Sequence, residues 1–125
     1  MDYAPLVTVD LNLGKKIVDD LEAEGIQVPV AFWAKLEEYG EWRFFLASPE
    51  FDRMGLFQAY GWVAGAGHAE QTFNLPIITI LDMDDALVQG LRKQAKSQHN
   101  VRGLHVVGQA FGARSIEDGI LEKVA

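Results

Sequence analysis

The chain has 125 residues, 49% of them hydrophobic and 10% aromatic, with a formal net charge of -7 at pH 7 and no cysteine. This length and composition predict one folded domain that spans residues 1–125 and buries a true core. The missing cysteine excludes disulfides, thiolate nucleophiles and cysteine-ligated metals. The acidic balance disfavours nonspecific binding to nucleic acids or to anionic membranes, because both need a basic surface.

The N-terminal part predicts a short strand and then a helix. Residues 6–9 are an apolar lead-in that we interpret as an edge strand, and Asp10 is a suitable helix N-cap. From Leu13 to Leu21 apolar residues recur every four positions with charged residues between them. This spacing is typical of an amphipathic helix, and Gly25 predicts where the helix stops.

Residues 28–52 contain two apolar runs separated by a polar stretch that ends at Gly40, which predicts a β-hairpin. Gly40 suits the left-handed last position of a three-residue loop, residues 38–40. A register shifted by one residue would place a glutamate and an arginine in the core, at a cost of several kcal/mol if they were unpaired. The preferred register turns Phe32, Ala34, Leu36, Trp42, Phe44 and Leu46 toward the core, and Trp33, Lys35, Arg43 and Phe45 toward the other face.

The middle of the chain predicts a loop, a helix and a strand. Pro49 ends the second hairpin strand because it cannot donate to the ladder, and residues 50–55 are predicted to form a loop. Residues 56–67 predict a helix, although three glycines lower its propensity. Residues 75–81 are a continuous, β-branched apolar run, which we interpret as a central strand buried on both faces.

The C-terminal part predicts a third helix and two strands. Asp82 or Asp84 is expected to cap the helix, whose basic residues cluster near its end. Residues 104–111 and 116–124 are the last two strand candidates. The resulting order α-β-β-α-β-α-β-β predicts an α+β fold with a mostly antiparallel sheet of about five strands and about three helices on one face.

The common signatures of nucleophiles, nucleotides and metals are absent from the sequence. There is no nucleophile elbow, no phosphate-binding loop, no H-E-x-x-H motif and no dinucleotide fingerprint. The three histidines, His68, His99 and His105, are not at metal-ligand spacing. We therefore expect no metal, no cofactor and no catalytic residue.

An alternative interpretation is a small hydrolase or a carboxylate metal site built from Ser48, Asp52, Asp82 and His105. Ser48 ends a predicted strand, and Asp82 follows another, which are places where sites are often built. Each residue also has a plain structural role. A serine before proline terminates a strand, an aspartate caps a helix, and a histidine on a strand packs against its neighbours. We prefer those structural roles.

The leading functional hypothesis is a non-catalytic interaction module that binds a protein partner or associates with itself as a homo-oligomer. Its surface would be the hairpin face with Trp33, Lys35, Arg43 and Phe45, because exposed aromatic and arginine side chains commonly anchor protein interfaces. Nucleic-acid binding through the basic residues near Arg92 is disfavoured by the net charge. No basic-then-apolar leader and no membrane-length apolar run is present, so we expect a cytoplasmic protein outside the membrane.

The hairpin also resembles a family of small uncharacterised bacterial proteins that have no established activity. The similarity lies in Ala31-Phe32-Trp33, Glu41-Trp42-Arg43 and Leu46-Ala47-Ser48-Pro49, followed by Asp52, Gly55 and Tyr60, and again in Ser115-Ile116-Glu117-Asp118. It covers most of the chain from Asp10 onward, and the glycine-rich helix after Gly55 departs from it. The resemblance implies a bacterial origin and a full-length single-domain protein.

Overall fold

The structure is a computed structural model, which describes residues 11–65, 77–97, 101–112 and 114–125. Within these residues a five-stranded sheet is covered by helices on both faces. The helices are α1 (Leu11–Ala23), α2 (Pro49–Met54), α3 (Leu56–Gly65) and α4 (Ala86–Gln94), followed by a 3-10 turn, Ala95–Ser97. The strands are β1 (Val30–Leu36), β2 (Trp42–Ala47), β3 (Ile78–Leu81), β4 (His105–Phe111) and β5 (Arg114–Val124).

The strand order in the sheet is β3-β2-β1-β5-β4. The α+β class is confirmed, but the sheet is mixed, because β3 runs parallel to β2 while the other three pairs are antiparallel. A parallel neighbour needs a crossover between the strands, and α2 and α3 provide it. The predicted loop at residues 50–55 is therefore wrong, since helix α2 occupies most of it. The predicted central strand is the edge strand β3.

The sheet has a core on each face, so the prediction of helices on one face only is wrong. Helices α1, α2 and α3 pack on the face that carries Trp33 and Phe44. Helix α4 packs on the face that carries Phe32 and Phe45. The physical reason is that both hairpin strands are apolar on both faces, which requires cover on both sides.

The hairpin register differs by one residue from the predicted one. Trp33 lies opposite Phe44, and Ala34 lies opposite Arg43. The carbonyl of Leu36 accepts hydrogen bonds from the amides of Tyr39 at 3.1 Å and Gly40 at 2.9 Å, which closes a four-residue loop. Gly40 has φ +70, so its predicted left-handed conformation is confirmed, whereas the three-residue loop is wrong.

Arg43 explains how the shifted register is tolerated. It lies on the face covered by α4, but at the margin of that core, with its guanidinium 3.8 Å from the centre of the Tyr39 ring. Its Nη2 donates to Glu41 Oε2 at 2.7 Å, and its Nη1 donates to Thr79 Oγ1 at 3.1 Å. The charge is therefore paired and hydrogen-bonded, so the penalty expected for an unpaired arginine does not arise.

The helix ends follow capping chemistry. Helix α1 buries its predicted apolar stripe, and Gly25 follows it with φ +91. Helix α4 is capped by Asp85, whose Oδ1 accepts from the amide of Leu87 at 2.9 Å, rather than by Asp82 or Asp84. The predicted lead-in strand 6–9, the predicted helix N-cap Asp10 and the end of the predicted helix 56–67 lie outside the described residues. In the part of the chain that is described, no helix is long and apolar enough to cross a membrane.

Candidate docking groove

The predicted surface of Trp33, Lys35, Arg43 and Phe45 does not form. The Trp33 side chain is 1% exposed and the Phe45 side chain is 0% exposed, and they lie in different cores on opposite faces of the sheet. Lys35 lies 3.7 Å from a carboxylate oxygen of Glu117, and Arg43 is held as described above. The aromatic members of the surface are core residues, because the two-sided sheet buries both faces of the hairpin.

Ser48 is the N-cap of helix α2. Its side chain is fully buried, and its Oγ accepts from the amide of Glu50 at 3.1 Å while donating to Glu50 Oε1, also at 3.1 Å. With Pro49 in the first turn of α2, this is the arrangement preferred at a helix N-terminus. The Ser48 hydroxyl therefore both donates and accepts a hydrogen bond within the first turn of α2.

The structure brings Asp52 close to Asp82 but places His105 far from both Ser48 and this pair. Asp52 Oδ2 accepts from the amide of Met83 at 3.2 Å, which brings Asp52 beside the turn that contains Asp82. His105 instead pairs with Asp118 between β4 and β5. Strands β2 and β4 are separated by two others, so Ser48 and His105 are at least roughly 14 Å apart across the sheet. A nucleophile and a base at that distance cannot exchange a proton directly.

No group of three or more histidine, aspartate or glutamate side chains that could hold a metal occurs among residues 11–65, 77–97, 101–112 and 114–125. His68 and His99 lie outside the described residues.

Glu122 is the one strongly buried carboxylate in the described part of the chain, with the residue 5% exposed. Burial raises the pKa of Glu122 above its ordinary value of 4.5, and the Arg102 guanidinium acts in the opposite direction. The two side chains lie 2.6 Å apart, N to O. This pair links the segment before β4 to β5.

A groove between the C-terminal half of α1 and helix α3 is a feature of the described surface that the fold itself does not explain. Its volume is about 1310 Å³. Helix α3 contributes most of the wall and contains no charged residue. We call this feature the α1–α3 groove; it is lined by Asp20, Leu21, Ala23, Glu24, Leu56, Phe57, Gln58, Tyr60, Gly61, Trp62 and Gly65.

Helix α3 is held firmly on its inner side. Ala59 and Val63 are buried against the sheet, and the Tyr60 hydroxyl accepts a hydrogen bond from the amide of Ile80 on β3 at 2.9 Å. The outer side is apolar and open, with Phe57 97% exposed and Leu56 56% exposed. Helix α3 therefore packs on the sheet with one side and exposes large apolar side chains on the other.

The charges in the groove all have one sign. Of the described lining residues only Asp20 and Glu24 are charged, and both are carboxylates at the C-terminal end of α1. Asp20 lies 3.3 Å from Lys16 in the preceding turn. Glu24 is exposed, next to the end of α1. The groove therefore combines an apolar wall with a carboxylate rim.

The sequence analysis does not predict this groove, although the sequence contains one signal for it. The glycines of residues 56–67 predict a helix of low propensity, and the uncharged, apolar sequence of α3 is the feature that could have indicated an exposed apolar surface. Comparisons with protein-family models, with curated proteins and with solved structures found no match. The bacterial family that the hairpin resembles therefore stays a prediction.

Proposed function

We propose that this chain is a non-catalytic protein-interaction module that binds its partner in the α1–α3 groove. The observation that carries the proposal is Phe57, a phenylalanine 97% exposed on an uncharged helix that borders the groove. A cytoplasmic setting accompanies the proposal and rests on the sequence alone.

The energetics support a docking role for this surface. Burying a phenylalanine side chain contributes about 1.5–3 kcal/mol, which is forgone while Phe57 stays in water. Leu56, Tyr60 and Trp62 extend the apolar surface on the same helix. Aromatic side chains clustered in a depression are the residue types that dominate binding energy at protein interfaces. Contiguous exposed apolar patches on a folded domain usually mark such interfaces.

The test is photo-cross-linking from inside the groove. A photoreactive phenylalanine analogue is placed at position 57 in cells that express the chain, and at Val107 as a control. Val107 is an apolar residue 60% exposed on β4, far from the groove in the sheet order. We expect a discrete cross-linked product from position 57 and none from position 107.

A blocking variant makes the test specific to the groove. Gly61→Leu adds a side chain to the groove wall at a position where no described atom lies within 4 Å of the added Cβ. We expect this change to suppress the product formed from position 57 while the protein stays folded. A product that persists unchanged in the Gly61→Leu background, or the same product from position 107, would contradict the proposal.

A further inference from the structure

We infer that the occupant of the α1–α3 groove is a basic amphipathic α-helix of a partner protein. This inference rests on the proposed function and adds the chemistry of the partner. It follows from the secondary structure of the groove walls, from its dimensions and from the sign of its charges.

The walls of the groove favour a helix over an extended strand. Both walls are helices, whose backbone N–H and C=O groups are bonded within the helix, so an added strand would find no edge to pair with. An occupant must therefore bind through side-chain packing, as helices do when ridges enter grooves. Helix α3 has 10 residues and so is about 15 Å long, which matches about three turns of a partner helix.

Two wall positions permit close approach of a partner. Gly61 and Gly65 lie one turn apart on α3, and both line the groove. No described atom lies within 4 Å of a Cβ built at either position, so neither glycine is needed for packing inside the described part of the chain. The space in front of them is open to the side chains of an occupant. Phe57 and Trp62 then supply the apolar contact area.

The charges select a cationic partner. Among the described lining residues the charged groups are the carboxylates of Asp20 and Glu24, and none of these residues is a lysine, arginine or histidine. Lysine or arginine side chains flanking an apolar helix face would complement this rim. An anionic amphiphile such as a fatty acid would bring its own negative charge to these two carboxylates. A second copy of this chain, with its own net charge of -7, would bring another acidic rim to the same place.

The experiment measures binding of helical peptides to the full chain. The basic probe is a capped peptide of about 14 residues, roughly four turns, with leucines along one face and lysine or arginine at the flanking positions. The acidic probe has the same leucines, with glutamate replacing every basic residue. Binding is followed by anisotropy of a dye on the peptide, at ionic strengths from about 0.05 M to about 0.5 M.

We expect the basic probe to bind at least about tenfold more tightly than the acidic probe at low salt, with the ratio shrinking as salt rises. The double variant Asp20→Asn, Glu24→Gln should remove most of this preference. Glu37→Gln is the control, because Glu37 is also an exposed glutamate and lies in the hairpin loop, outside the described lining of the groove. It should leave the preference unchanged.

The outcomes distinguish the charge preference of the groove from its role as a docking site. Equal binding of both probes, each weakened by Gly61→Leu, would overturn the inference about charge and leave the groove as a docking site. No binding by either probe, together with no cross-linked product from Phe57, would overturn the proposed function as well. A concentration-dependent dimer that disappears in Phe57→Ser would also overturn the inference, because the occupant would then be a second copy.

Discussion

Gly14 of α1 faces the indole of Trp33 so closely that a Cβ at position 14 would lie 2.8 Å from its Nε1. The next contact, to the Phe44 ring, would be 3.1 Å. Both rings are fully enclosed and cannot retreat. We expect Gly14→Ala to lower the free energy of unfolding by about 1–3 kcal/mol, measured by urea denaturation, because overpacking a tight core costs that much. An unchanged or increased stability would show that α1 does not sit on Trp33.

Gly61 on α3 differs from Gly14, because it has space for a side chain. Its Cβ would meet no described atom within 4 Å, and its φ is not in the left-handed region. We therefore expect Gly61→Ala to raise the free energy of unfolding by up to about 1 kcal/mol through helix propensity. The same denaturation experiment measures it, with Gly14→Ala as the internal contrast. A loss of stability would mean that position 61 is packed rather than open.

Two phenylalanines test the two-sided core directly. Phe45 is fully buried on the α4 face, whereas Phe57 is almost fully exposed. Phe45→Ala should cost about 3–5 kcal/mol, since it opens a cavity in the core. Phe57→Ala should change stability by no more than about 0.5 kcal/mol. Similar effects of the two substitutions would contradict a core on both faces of the sheet.

The Arg102–Glu122 pair predicts a pH dependence. The pKa of Glu122 is raised above 4.5 in the folded state by burial, and Arg102 limits that rise. Between the unfolded and the folded pKa the native state binds more protons, so this group's contribution to stability falls as pH rises through that window. Removing Arg102 raises the folded pKa further and leaves a buried carboxylate without that partner.

Arg102→Ala should therefore cost less stability at pH 4 than at pH 7, where the loss of the charged partner of Glu122 is expected to cost about 1–3 kcal/mol. Urea midpoints at the two pH values measure the difference. Lys35→Ala is the matched control, because its partner Glu117 is 44% exposed and such surface pairs contribute about 0–1 kcal/mol. An Arg102→Ala penalty of the same size at both pH values would rule out this role for Glu122.

The elements that sequence analysis predicts well are those set by local chemistry. Helix α1 follows from apolar residues at spacing four and a glycine stop, and the conformation of Gly40 follows from its place in a tight loop. The hairpin register does not follow, because it depends on how Arg43 is satisfied. One of the partners of Arg43, Thr79, lies 36 residues further along the chain. No local pattern could reveal that contact.

The α1–α3 groove is harder to predict from the sequence than helix α1, because it also depends on contacts between distant parts of the chain. The terminating role preferred for Ser48 agrees with its position as a cap, which Glu50 completes two residues later. The α1–α3 groove exists only because two helices more than 30 residues apart in the sequence pack beside each other on one face of the sheet. The exposure of Phe57 is a property of that packing, and its immediate neighbours in the sequence do not determine it.

The most direct test of the docking groove is its location by NMR, with the basic helical peptide titrated into isotope-labelled protein. We predict that the largest amide shift changes fall in α3 and in residues 20–24 of α1, and that they vanish in the Gly61→Leu variant. Shift changes centred on β4 or on the hairpin loop, or none at saturating peptide, would contradict the account.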